Sequence, residues 1–312
     1  MEEFPAIEVL DLRDQRLIAA LQCDGRLTAG RAAEVLGVGP RVVRRRWAAL
    51  LDGDVVRVRG VVPYPPGTTA TLLRIRVLRG RVEAIAAALA ARDDVPFIDL
   101  SAGGDEIGAI VIAPPGSRGR LLYRQLPATG AVTSVTAQTV LHVFSTADAW
   151  RHDVLTPEER RALTPQAPPP PAGPPDDTDR RILGVLAADG RASAAAIAER
   201  TGLPDSTVRR RLAARGHLRT QVIVDPRRLG LAIDANVWMR IEPGRLDEVG
   251  RALAAHPAVH GALATTGEAN LQVAVWLRDL EHLYRFVSGD LGALGVRSAD
   301  TVLVGRAVKR PG

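Results

Sequence analysis

The chain repeats itself: residues 11 to 46 align without a gap on residues 176 to 211, at a constant offset of 165, with fifteen identities in 36 positions. Asp14 recurs as Asp179, Asp24-Gly25-Arg26 as Asp189-Gly190-Arg191, Gly37 as Gly202, and Val43-Arg44-Arg45-Arg46 as Val208-Arg209-Arg210-Arg211. Two copies of one module thus organise the 312 residues, and what the module does largely decides what the chain does.

In copy one, Leu17, Ile18 and Leu21 form a helical stripe closed by Asp24-Gly25. A second short helix is predicted from a cap at Thr28 to Gly37, and a third from about Pro40 to Leu51. Gly37-Val38-Gly39 between them has the length and glycine content of a helix-turn-helix turn. Copy two repeats the plan, with Ser193 as cap, Gly202-Leu203-Pro204 as turn and a third helix from Asp205. The pattern then changes to alternation: Leu73, Ile75 and Val77 point one way and Arg74 and Arg76 the other, as Val237, Met239 and Ile241 do against Asn236, Trp238 and Arg240. Each alternating strand precedes an Ala-rich helix, two strands, a helix and a last strand. That order, β-α-β-β-α-β, sets helices on one face of an antiparallel sheet, and the other face invites pairing between the copies. The proline-rich stretch from Thr164 to Pro175 reads as an extended spacer.

The formal net charge of +6 gives a basic surface attractive to polyanions, and because Lys309 is the sole lysine the charge is guanidinium. One cysteine, Cys23, forms no internal disulfide. No leader-like or long apolar segment stands out, so a cytoplasmic, nucleoid-associated protein is expected.

On the third helix of copy one, Val43, Trp47 and Leu50 recur at helical spacing and face the core. Arg41 and Arg45 then point outward, with Arg44 on a flank. In copy two Ser206 and Arg210 point outward with Thr207 and Arg209 beside them. Outward guanidiniums reach guanine edges in a major groove and flanking ones reach phosphate, so these seven residues are the candidate DNA contacts. Arg46 and Arg211 lean inward and are expected to pair with Asp14 and Asp179 of the first helices.

These residues resemble the Lrp/AsnC family of transcriptional regulators. The likeness lies in Asp14, Asp24-Gly25-Arg26, Ala33-Glu34 and Val43, and more fully in Asp176, Asp179, Asp189-Gly190-Arg191, Ile197-Ala198-Glu199, Gly202-Leu203, Ser206-Thr207-Val208, Arg211 and Val224-Asp225-Pro226. It implies an α+β chain of two fused subunits: winged-helix-like helix-turn-helix domains at 1–62 and 176–224, ferredoxin-like βαββαβ (RAM-type) sensing domains at 63–150 and 225–312, and a proline-rich linker at 151–175. It further implies double-stranded DNA as partner, homo-oligomers and a small effector such as an amino acid, bound near Gly103 and Glu106 in copy one and Thr265, Gly267 and Asn270 in copy two. The family usually has Asp where Glu106 and Asn270 stand, and Ser where Gly39 and Pro204 stand, with Asp205 a candidate cap. Copy two also lacks two residues after Ala214, so unlike half-sites are expected.

A phosphate loop needs a lysine that the chain lacks outside Lys309, and no Gly-x-Ser-x-Gly elbow occurs, so no enzyme activity and no cofactor are expected. His256 and His260 have a metal-like spacing that Pro257 interrupts, so no metal site is expected. Two alternatives stand beside the regulator: a siroheme-decarboxylase-like enzyme on the same scaffold, to which the 4% aromatic content is poorly suited, and a regulatory partner that touches no DNA.

Overall fold

Helix α1 (Leu12–Cys23) starts where the Asp11 carboxylate accepts a 2.8 Å bond from the Asp14 backbone N–H, a cap that stabilises a helix by about 1 kcal/mol. The structure, a computed structural model, describes residues 7–114, 129–166, 173–214 and 217–310. Thr28 caps α2 (Ala29–Leu36), which stops at Gly37 with φ +66°, and Pro40 opens α3 (Pro40–Asp52). Strand β1 (Val56–Val61) follows. Copy two repeats the plan in α6 (Asp177–Ala188), α7 (Ala194–Thr201, capped by Ser193 and stopped by Gly202 at φ +66°), α8 (Asp205–Ala214) and β6 (Arg219–Val224). These elements form the first of two units, drawn from residues 7–64 and 147–230.

The span expected as a linker differs from expectation. Within it, α5 (Pro157–Leu163) carries a full capping box, Thr156 with Glu159, and a proline at its first position. It packs on copy one: Arg16 pairs with Glu159, Arg31 donates to the Ala162 carbonyl (3.1 Å), and Leu163 is buried. The polyproline centre of the spacer lies outside the described residues.

The second unit, residues 65–146 and 231–310, is a sheet. Copy one contributes β2 (Thr69–Val77), α4 (Val82–Ala90), β3 (Phe97–Ser101), β4 (Glu106–Ala113) and β5 (Val132–Ser145); the helix expected between the last two lies outside the described residues. Copy two contributes β7 (Ile233–Arg240), α9 (Leu246–Ala254), β8 (Val259–Thr265), β9 (Leu271–Leu277), α10 (Leu280–Arg285) and β10 (Ser298–Lys309). Alternation decides the faces. Leu73, Ile75 and Val77 pack with Val82, Ala86 and Leu89 of α4, and Val237, Met239 and Ile241 pack with Val249 and Leu253 of α9. Each fully buried side chain of this size stabilises by about 1.5–3 kcal/mol.

The pairing between copies takes the form of shared strands. β5 pairs with β2 and then, through Val140 to Ser145, with β8; β10 pairs with β7 and then, through Val304 to Lys309, with β3. The eight strands close into a barrel in the order β10-β3-β4-β2-β5-β8-β9-β7. The sheet faces turned away from α4 and α9 carry charge. Arg74 holds Glu106 with two bonds (2.8 and 3.1 Å) and Asp300 with one (2.7 Å), and stacks over Trp238 at 5.4 Å. Arg310 bridges Asp99 and Asp234 and stacks over Phe97, while His260 lies 3.7 Å from Asp234 and stacks on Trp276.

Burial pushes the Asp99 carboxyl up to about 6, against the pull of Arg310 and with Asp234 adding to the rise. A folded-state pKa raised in this way lends stability at low pH that is lost as pH climbs from the ordinary carboxylate range through about 6. In carbon-13-labelled protein the Asp99 carboxyl is therefore expected to titrate with a midpoint near 6, and Arg310→Ala to move the midpoint higher. A midpoint in the ordinary range, or one indifferent to Arg310, would contradict the arrangement. Among the described residues no helix is long and apolar enough to cross a membrane.

Candidate nucleic-acid interface and effector loops

Val43, Trp47 and Leu50 seat α3 on its neighbours, with the Trp47 indole donating to the Leu17 carbonyl at 3.3 Å. That seating turns Arg41, Arg44 and Arg45 into solvent, and none of the three has an ion-pair or hydrogen-bond partner among the described residues. Arg46 turns back to Asp14 (2.8 Å), the partner expected, and also to Asp11 (2.9 Å). Copy two repeats the arrangement with Arg211 on Asp179 (3.2 Å) and Asp176 (2.6 Å). The Asp14 backbone N–H and the Arg46 guanidinium hold the Asp11 carboxyl below its ordinary range. On α8, Val208 is buried, Ser206 and Arg210 are exposed, and Thr207 is half-buried. Arg209 is exposed but engaged: its Nε donates to Asp205 Oδ2 at 2.5 Å, one turn back. Asp205, the candidate cap, spends that oxygen on Arg209, and α3 has no side-chain cap at Gly39.

The repeated Asp-Gly-Arg triplets join the two three-helix groups. Arg26 donates to the carbonyls of Gly190 (2.7 Å) and Ala192 (2.9 Å), and Arg191 to those of Gly25 (2.6 Å) and Leu27 (3.2 Å). Arg191 also lies over the Trp47 ring at 5.2 Å. Antiparallel pairing of β1 with β6, from Val56 opposite Val224 to Val61 opposite Arg219, runs beside this clasp. The glycines let these turns lie against the strands: a Cβ on Gly190 would stand 2.9 Å from the Arg59 backbone in β1. Each guanidinium finds carbonyl acceptors in the other copy, a pairing that local periodicity does not reveal.

The expected effector residues fall into two unlike loops. Glu106 is buried and committed to Arg74, with Arg76 at 3.5 Å. Gly103 is exposed, and the left-handed turn of that loop belongs to Gly104, at φ +71°. In copy two, Thr265 is buried and donates to the Ala269 carbonyl (3.0 Å), and Gly267 has φ +100°. Asn270 clamps the end of β7, accepting from the Ile241 N–H (2.8 Å) and donating to its carbonyl (2.9 Å). Gln138 of β5, a residue the sequence reading passed over, fills this loop by donating to the carbonyls of Thr266 (2.9 Å) and Ala269 (2.7 Å). Beside the Asn270 clamp a cleft of about 340 Å³ is lined by Arg240, Arg245, Arg297 and Glu242 together with Ile241, Pro243, Val249, Leu294 and Gly295. His256 and His260 part: the first lies against Phe286 and Asp290, the second against Trp276 and Asp234.

Comparison with known proteins bears on these features. The AsnC-type helix-turn-helix domain matches residues 176–214 and the Lrp/AsnC ligand binding domain matches residues 234–312. An uncharacterized HTH-type transcriptional regulator of Pyrococcus abyssi is 34% identical over 134 residues, 41% of this chain and 85% of that protein. HTH-type transcriptional regulator FL11 of Pyrococcus horikoshii is 30% identical over 133 residues, 41% of this chain and 88% of that protein. Among solved structures, the siroheme decarboxylase NirDL shares the fold, with a TM-score of 0.63 at 14% identity over 96% of this chain and 93% of that one. With an AsnC-type reading domain, an Lrp/AsnC ligand-binding domain and regulators as close relatives over most of their length, the chain belongs to the Lrp/AsnC family of transcriptional regulators.

Proposed function

We propose that the chain acts as a covalent pseudo-dimer, two family subunits fused in tandem, in which α3 and α8 read two unlike half-sites on double-stranded DNA. The observation that carries this reading is the reciprocal Arg26 and Arg191 clasp with the β1–β6 ladder, which makes one unit of the two three-helix groups. Arg41, Arg44, Arg45 and Arg210 supply phosphate and guanine contacts, and Ser206 and Thr207 reach base edges. Domains divide near residues 62, 150, 175 and 224. The protein works at the nucleoid, assembled into homo-oligomers of such chains.

A small effector enters the copy-two cleft beside Asn270, whose volume of about 340 Å³ lies in the range of ligand pockets. Its guanidiniums, the Glu242 carboxylate and an apolar floor suit a zwitterion such as an amino acid. Gln138 and Arg74 already occupy the loop carbonyls and Glu106, so the effector is read by the cleft rather than by Gly103, Glu106, Thr265 or Gly267.

The test is a gel shift on the upstream intergenic DNA of the protein's own gene against random competitor, at about 50 and 200 mM salt, with and without a panel of amino acids. A specific shift that weakens with salt and moves with one amino acid is the expected result. The likeness to NirDL favours a second reading, an enzyme acting on a tetrapyrrole. The cavity beside Arg74, Asp99 and Trp238 measures about 20 Å³, room for a single water, so a tetrapyrrole would have to bind elsewhere. A protein that turns coloured and stays so on adding siroheme, and that prefers no DNA over random competitor, would replace the first reading with the second.

A further inference from the structure

The two third helices align residue for residue at the offset of 165, so their charges compare directly. Where copy two has Asp205, copy one has Pro40; where copy two has Ser206, copy one has Arg41. Arg44 is consequently without a partner among the described residues, whereas its counterpart Arg209 is held by Asp205 at 2.5 Å. Three guanidiniums stand free on α3, and Arg210 alone on α8. Asp205 moreover puts a carboxylate in the first turn of α8, the end of a helix that draws phosphate. Only copy one has α5 packed against its first two helices, through Arg16 with Glu159 and Arg31 with Ala162.

We infer that the two heads divide the work: α3 supplies most of the sequence-independent grip on the DNA backbone, and Asp205 makes α8 a weak but discriminating reader by clipping Arg209 away from phosphate and repelling phosphate itself. Asp205 is thus a specificity-determining residue. A head with little phosphate attraction gains from DNA only where its base-edge contacts, Ser206, Thr207 and Arg210, are satisfied. The inference rests on the reading of α3 and α8 as DNA-contacting helices.

The experiment is a cycle of substitutions on exposed positions, with circular dichroism of each variant to show that it is folded, and affinity measured against salt on specific and random duplexes. Arg44→Ala is expected to weaken both duplexes on the order of tenfold and to lower the log–log salt slope by about one. Arg209→Ala in the otherwise unchanged protein is expected to move neither duplex more than about twofold. Asp205→Asn is expected to strengthen random DNA more than specific DNA, narrowing their ratio, and in that background Arg209→Ala becomes costly, with the slope gained by Asp205→Asn lost again. Equal losses from Arg44→Ala and Arg209→Ala in the unchanged protein would overturn the division of work while leaving DNA binding intact. Absence of any salt-dependent binding by the unchanged protein would instead overturn the DNA-contacting reading beneath it.

Discussion

Gly190→Ala is expected to loosen the joint between the two three-helix groups, and the matched change Gly184→Ala, six residues earlier in the same copy, is expected to do the reverse. The added methyl at 190 would sit 2.9–3.0 Å from three backbone atoms of Arg59 in β1. Backbone yields only by moving the strand, and the Gly190 N–H also donates to the Val58 carbonyl (2.8 Å), so the ladder and the clasp shift together. Overpacking of this kind costs about 1–3 kcal/mol, to which weakened bonds from Arg26 to Gly190 and Ala192 add. Gly184 lies inside α6 with nothing within 4 Å of its would-be methyl, so alanine there stabilises by up to about 1 kcal/mol through helix propensity. Thermal unfolding of the two variants checks both signs. Gel shifts on a DNA fragment the protein selects should show Gly190→Ala losing at least tenfold, because two heads held at an altered spacing engage one duplex poorly. A stable Gly190→Ala protein with unaltered DNA affinity would show that the joint does not set the spacing.

Glu106→Ala separates a structural carboxylate from an effector-binding one. Glu106 is 7% exposed and takes two bonds from Arg74, with Arg76 nearby at 3.5 Å. Removing it leaves Arg74, whose side chain is 18% exposed, with Asp300, whose side chain is 61% exposed. Breaking a buried pair by deleting one partner costs about 3–5 kcal/mol. For a unit of this size that lowers the melting temperature by roughly 6–20 °C. Glu106→Gln keeps the shape and one of the two acceptor oxygens that Arg74 uses, and is expected to lose about half as much. Stability unchanged in Glu106→Ala, with response to an amino acid abolished, would return Glu106 to the ligand.

Local chemistry was legible wherever a residue's partner lies a few positions or one helix away. Thr28, Ser193 and the left-handed Gly37 and Gly202 mark helix ends by their own backbone preferences. The inward lean of Arg46 and Arg211 follows from helical geometry, which points to Asp14 and Asp179; Asp11 and Asp176 are N-caps, outside the helical period that relates the others. Alternating apolar residues and the Ala-rich stretches between them carried the order of the sheet elements. What stayed hidden depends on distant register. Nothing near Gln138 says that β5 will reach the loop at Thr266, and nothing near Lys309 or Arg310 says that β10 will lie beside β3. The capping box at Thr156 to Glu159 was present in the sequence, but the prolines after it suggested a spacer. The clip of Arg209 by Asp205 was also within reach, since an acid four residues before a base on a helix is a pairing signal.

Because β5 and β10 each end in the other copy's sheet, every contact across the barrel is made once, between two different stretches of chain. A homodimer built the same way would have to tolerate each substitution at two symmetric places simultaneously. Here Arg74 lies opposite Thr136 on its own strand pair while Trp238, at the matching place, lies opposite Asp300, and Arg74 reaches across to hold that aspartate. Such a lock has a key half and a keyhole half, which twofold symmetry forbids along its axis. Two such stretches in one chain are free to drift apart in sequence, yet the four-stranded halves, β3-β4-β2-β5 and β8-β9-β7-β10, are each left with two unpaired edges unless the other half is present.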